Sequence, residues 1–364
     1  MQHYNIPIFI PHLACPFKCI FCDQRIISAQ EKPPTPDAVA EIIAAHLRTI
    51  NESGIIEVAF FGGSFTALPL TMQTQYLQVA HGFVQTGAVQ GIRLSTRPDY
   101  INKEILDNLK RWSVVTVELG VQSFSDEVLS ASQRGYTAAQ AEQACHLIKQ
   151  HGLQLGIQLM TGLPADNKQH SEQSTLKTIQ LAPEAVRIYP TVVIKGTRLA
   201  EMLERGDYKP QTLTEAVALC KAMWQRLEYH NITVIRMGLQ SECKLNSREY
   251  VLAGAFHPAF RELVEQAAFF EQASHLLNAF GHVGTEINLY VHPRDVSKFT
   301  GHRRVVINKL NHIFTTDIHV IQAAQLKKGT IGVSCNSSKL PDMQLTKTEF
   351  LQQKFQIEKT HSLG

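Results

Sequence analysis

No run of roughly 18 or more apolar residues occurs in the 364 residues, so no segment reads as a membrane-spanning helix. The opening "MQHYNIPIFIPHLAC" has neither a basic start nor a long apolar stretch and does not read as a signal peptide, which leads us to expect a cytoplasmic protein. An excess of one charge is also missing. Lys and Arg number 35 against 32 Asp and Glu, and the formal +3 is too small to argue for nucleic acid by itself. There is no internal repeat and no low-complexity tract, which sets aside solenoids and disordered tails. With 44% hydrophobic and 18% charged residues the chain has a globular composition. It is too long for one ordinary core, so a large domain with a smaller one is expected.

Cysteine is scarce, and its placement is uneven. Of seven, Cys145, Cys220, Cys243 and Cys335 are scattered singly, while Cys15, Cys19 and Cys22 crowd into "HLACPFKCIFCDQ". An odd count with three at one end suits metal or catalysis better than a disulfide framework in a reducing compartment. Cys145 and Cys220 lie in helical patterns and read as small buried hydrophobes.

Strand-like apolar runs recur at 6–11, 55–63, 91–96, 114–120, 155–162 and 185–190, with a last candidate at 232–239. Helical patterns separate them, among them 36–50 with Pro36 near its start, 138–152 closing on Gly152, and 212–230. Such alternation predicts a parallel sheet with right-handed crossovers. After about residue 245 the rhythm changes to one long helix over 257–280 and strand-like pieces at 285–291, 313–322 and 330–335. The expected division is a core over 1–245, a small α/β domain over 246–335 and a polar tail over 336–364, loosely attached or partly helical.

The three clustered cysteines have the spacing Cys-x3-Cys-x2-Cys and fall directly after the first strand, where parallel α/β folds build their sites. A structural zinc would need a fourth ligand from a distant cysteine or a histidine such as His12. A 4Fe–4S cluster would take three of its four thiolates here and leave one iron open.

"CPFKCIFC", with Phe21 before the third cysteine, resembles the cluster motif of radical S-adenosylmethionine (SAM) enzymes. The likeness continues in order along the chain: "FFGGSF" after the second strand, then "STRPD" (95–99), "ELGVQSF" (118–124), "RGYT" (134–137), "MTGLP" (160–164) and "RIYPTVVIKGT" (187–197). Within the superfamily it is similar to the radical SAM half of the Elongator catalytic subunit and its bacterial relatives. "RMGLQ", "GAFHPAFRELVE" and "NLYVHPRDVSKFTGHRR" resemble the accessory C-terminal domain of that group.

The resemblance implies a partial (β/α)6 TIM-like barrel with a small C-terminal α/β domain. It also implies a 4Fe–4S cluster on Cys15, Cys19 and Cys22, and SAM cleaved reductively to a 5′-deoxyadenosyl radical. Phe21, Gly62, Gly63, Ser64, Ser95, Gln122, Arg134 and Gln158 fall at the family's SAM-contacting positions, with Arg134 suited to the SAM carboxylate and Gln122 to ribose hydroxyls. Tyr189 and Lys195, at the end of the sixth strand, are candidates for substrate contact. RNA, tRNA in particular, or another large substrate presented to the open barrel is the implied substrate class, and a protein such as flavodoxin or ferredoxin the electron donor. Acetylation is not expected, because no acetyltransferase-like segment follows the resemblance. A small-metabolite enzyme of the coproporphyrinogen dehydrogenase kind is the alternative. Those enzymes carry a further cysteine where Gln24 stands, and acidic residues where Ser95 and Gln158 stand. A non-catalytic iron–sulfur or zinc protein is the third reading. The basic groups "GHRR" (301–304) and "QLKKG" (325–329) are the candidate phosphate contacts.

Overall fold

The computed structural model describes residues 2–11, 19–23, 32–50, 54–239, 249–281, 286–336 and 340–361. These form two compact units: residues 1–216 with 232–258, and residues 217–231 with 259–364.

The first unit is built on strands β1 (Gln2–Ile10), β2 (Gly54–Gly62), β3 (Gly91–Thr96), β4 (Val114–Gln122), β5 (Gln154–Thr161) and β6 (Ala185–Pro190). A short β7 (Val192–Ile194) follows, then β8 (Thr233–Met237) and β9 (Val251–Gly254). Among the described residues the main sheet has seven strands in the order β1-β2-β3-β4-β5-β6-β8, all pairs parallel. It is a curled, open half-barrel whose edge strands β1 and β8 do not pair. The seventh strand extends the expected six: the candidate at 232–239 pairs with β6 through Ala185↔Thr233 and Ile188↔Met237. β7 and β9 form a separate antiparallel pair.

Local chemistry places the helices between the strands. Thr35 Oγ1 accepts from the Ala38 N–H at 3.2 Å and Pro36 opens the helix Pro36–Leu47, where its missing N–H costs nothing. Thr137 and Gln140 make a reciprocal capping box at the start of Ala138–Gln150. Cys145, on the buried face of that helix, is fully buried, and burial pushes its thiol up to about 12. Cys220 is fully buried too.

The second unit has a four-stranded sheet in the order β11-β10-β12-β13, where β10 is Glu286–Val291, β11 Asp317–Gln322, β12 Thr330–Ser334 and β13 Met343–Thr346. Helices Phe260–Phe280, Val305–Phe314 and Lys347–His361 pack on it around Leu276, Leu289, Phe299, Ile307 and Val333. The segment 336–364, expected as a polar tail, supplies β13 and the last helix. Its Leu345, Phe350, Leu351 and Phe355 are spaced so that one face joins this core, although the composition around them is polar. The helix Leu213–Tyr229 enters this unit from Val217 on. There Gln225 Nε2 donates to Glu271 at 3.1 Å, Lys347 Nζ meets Glu228 at 2.5 Å and the Tyr229 ring packs 5.1 Å from Phe355.

Candidate functional site

Side chains alternate along a strand, so one face of the half-barrel collects every second residue. Ile6 and Ile8 of β1, Leu94 of β3, Leu119 and Val121 of β4, Ile157 and Leu159 of β5, and Val186 and Ile188 of β6 are buried. Their alternates line a cavity of about 460 Å3: Asn5, Pro7, Phe9, Phe61, Ser95, Glu118, Gly120, Gln122, Gln158, Met160, Arg187, Tyr189 and Arg236. That volume is within the ~300–1,000 Å3 of small-molecule sites.

The loop after β1 brings Cys19, Phe21 and Cys22 to the same cavity. Cys22 N–H donates to Cys19 O at 3.1 Å. Cys19 Sγ accepts from Arg134 Nη1 at 2.8 Å and Arg97 Nη1 at 3.3 Å. Arg97 also grips Asp99 through Nε at 2.9 Å and Nη2 at 2.8 Å, and donates to the Arg134 carbonyl. Arg134 also donates from Nε to Tyr136 Oη at 2.9 Å and from Nη2 to Gly120 O at 2.6 Å, with the Phe21 ring centroid 5.9 Å away. Burial alone would pull the Arg134 guanidinium down, but Tyr136 and Cys19 more than offset it and the group stays charged. Burial pushes the Tyr136 hydroxyl up.

Gly62, Gly63 and Ser64, after β2, line the cavity as well. Gly62 has φ +107°, and a Cβ there would lie 2.7 Å from the Ile10 carbonyl oxygen. The backbone that approaches Gly62 is therefore β1, which also accepts the Gly63 N–H at 2.8 Å. Gln122 sits at φ +68°, uncommon for a side chain of its size, where the β4–β5 register shifts. Its Oε1 accepts from Gln158 Nε2 at 3.2 Å.

Of the residues singled out in the sequence, Cys19, Cys22, Phe21, Gly62, Gly63, Ser64, Ser95, Gln122, Arg134, Gln158 and Tyr189 meet at one cavity. Lys195 does not: it is exposed beyond β7 and outside the lining, with its backbone N–H on Tyr250 O at 2.9 Å. Cys15, His12 and Gln24 lie outside the described residues. Among the described residues no group of three or more His, Cys, Asp or Glu gathers as a metal site. The donor chemistry nevertheless fits an iron–sulfur cluster: two soft thiols on the wall of the cavity, with Cys15 completing the motif in the sequence.

Sequence reasoning missed a belt of buried charge. Glu57 on β2 accepts from Arg93 Nε of β3 at 2.7 Å and meets His3 Nε2 of β1 at 2.7 Å. Arg93 Nη1 reaches Glu118 of β4 at 3.0 Å. Glu118 then takes both Nε and Nη2 of Arg187 on β6, at 2.5 and 3.1 Å. Burial alone would lower the Arg187 guanidinium, and Glu118 more than reverses it. Period two was the available signal: stepping back by four from Gln122 gives Glu118, and by two from Tyr189 gives Arg187.

Two family models match this chain: the radical SAM superfamily over residues 9–177 and the radical SAM C-terminal domain over residues 183–268. The chain belongs to the radical SAM superfamily. It is an enzyme of that superfamily, one that binds SAM, and within it groups with the Elongator-like members. It is 25% identical over 255 residues to the tRNA uridine(34) acetyltransferase of Dehalococcoides mccartyi, covering 60% of this chain and 56% of that one. It is 32% identical over 184 residues to the protein of that name from Methanocaldococcus infernus, covering 44% and 34%. With human Elongator complex protein 3 it shares 29% over 198 residues, covering 47% and 36%. The chain thus spans between a third and just over half the length of these relatives. The solved Methanocaldococcus infernus Elp3 lacking its first 46 residues superposes with a TM-score of 0.58 at 21% identity, over 75% of this chain and 63% of that one, a likeness of fold.

Proposed function

We propose that this radical SAM enzyme acts on RNA, with tRNA as the substrate class, and carries a 4Fe–4S cluster on Cys15, Cys19 and Cys22. The observation that carries the reading is the cavity at the strand ends, where Cys19 and Cys22 share a wall with Arg97 and Arg134. The relatives named as tRNA uridine(34) acetyltransferases support the substrate class. When bound, the reduced cluster supplies the electron that splits SAM into methionine and a 5′-deoxyadenosyl radical.

The chain's own residues bind and orient. The backbone at Gly62 and Gly63, with Ser64, holds the methionine end, and Ser95 stands beside it at the end of β3. Arg134 offers a guanidinium to the SAM carboxylate, and Gln122 with Gln158 supplies donors and acceptors for ribose hydroxyls. Phe21 packs beside the adenine. Tyr189 faces the substrate, and Lys195, exposed outside the cavity, is left to contact a larger substrate there. A cytoplasmic flavodoxin or ferredoxin supplies the electron. No described helix is long and apolar enough to cross a membrane.

The test is anaerobic reconstitution followed by reduction with dithionite. Iron-dependent visible absorption should bleach, and 5′-deoxyadenosine should appear slowly alone and faster with total tRNA. Stoichiometric zinc without iron would refute the cluster. Release that tRNA leaves unchanged but a tetrapyrrole accelerates would move the substrate to small metabolites.

A further inference from the structure

The belt of charge ends on Arg187, which lines the cavity. Glu118 on β4 reaches Arg187 on β6 by crossing the intervening strand β5 at Gly156, its register partner. A Cβ on Gly156 would lie 2.8 Å from Glu118 Cγ, so the missing side chain is the space the carboxylate arm occupies. The arm arrives with both oxygens in use: Oε1 is shared between Arg93 and Arg187, and Oε2 takes Arg187 Nε. Arg187 is thereby fixed in a fork, with its Cζ 5.2 Å from the centroid of the Phe61 ring. Its remaining nitrogen, Nη1, donates to Tyr189 Oη at 3.5 Å, the long end of the range, and carries a second N–H on the cavity wall. The side chain keeps 13% of its surface exposed, against 6% for Glu118.

We propose that Glu118, seated over Gly156, is a positioning residue: it holds Arg187 beside Tyr189 as the donor that binds an oxygen acceptor of the substrate in this cavity. A purely structural ion pair would not require the Arg187 end to open onto the cavity. The inference rests on the reading of the cavity as the radical SAM site of an RNA-acting enzyme.

Two measurements test it, one free of turnover. Phenylglyoxal labelling of Arg187, read by peptide mass spectrometry, should be slow in the parent, because the guanidinium is held charged and bidentate. In Glu118→Gln, which keeps the side-chain volume, it should be roughly tenfold faster, the scale of one lost charged hydrogen bond. Gly156→Ala, which displaces the arm without altering either charge, should behave alike. Equal labelling in all three proteins overturns the positioning role. With reconstituted protein, both variants should need roughly tenfold more total tRNA for half-maximal stimulation of 5′-deoxyadenosine release. A parent that responds to tRNA and variants that respond identically overturn this inference alone. The same holds if the variants lose rate at saturating tRNA in step with lost thermal stability and show no shift in half-maximal concentration. A parent that cleaves SAM yet ignores tRNA overturns the RNA reading, and with it the role given to Arg187.

Discussion

Arg93→Met removes the middle of the charge belt while filling similar volume with an apolar chain. Arg93 is 7% exposed and stands between Glu57 and Glu118, at 4% and 5%. Deleting one partner of a buried pair costs about 3–5 kcal/mol, because the charge left behind has lost its water as well as its partner. Here each carboxylate retains another neighbour, His3 for Glu57 and Arg187 for Glu118, so the lower end, about 3 kcal/mol, is expected. At about 2–4 °C per kcal/mol for a unit of this size, the melting temperature should fall by about 6–12 °C. Urea unfolding of parent and variant measures the deficit, and one under about 1 kcal/mol would refute the reasoning.

Cys19→Ala and Cys22→Ala should each lose the cluster on reconstitution, read as iron content and visible absorption. Cys145→Ala should retain it, since its buried thiol titrates only near 12. Gly62→Ala should lower the urea midpoint at an unchanged slope, because φ +107° costs an alanine about 1–3 kcal/mol before the 2.7 Å approach to Ile10 O is counted. Arg303 and Arg304 are exposed, and replacing both by Ala should weaken tRNA binding and flatten its salt dependence by about one unit of slope for each phosphate left without its cation. An unchanged slope in a filter-binding titration would remove this patch from the RNA surface.

The barrel strands were legible because a parallel sheet buried on both faces leaves long apolar runs. β3 and β6 fall at the ranges read from the sequence, and the other barrel strands differ by a few residues at their ends. β13 was not legible. "MQLT" is short, polar on one side, and acquires its place by antiparallel pairing with β12, information that no local window holds. Among site residues, the cysteines and the glycine pair are conspicuous by spacing. Glu118, Arg93 and Arg187 are not, because 25 and 69 residues separate the partners and only strand order brings them together. Arg97 was in view within "STRPD", but its bond to Cys19 spans 78 residues. The likeness to family motifs supplied roles that alternation alone would not have assigned.

The helix Leu213–Tyr229 leaves the first unit at Ala216 and serves the second from Val217 to Asn231, after which the chain returns to complete the half-barrel with β8. The backbone thus passes between the units three times, so no single cut separates them. Cleavage after Pro258 would leave Trp224, Leu227 and Tyr229 attached to the barrel piece and stripped of their partners, while the remainder would lack one wall of its core. Each fragment would be expected to aggregate on its own, and the two to recover only when mixed. Inheritance of the barrel without its appendage, or the reverse, would require rebuilding that helix rather than moving a boundary.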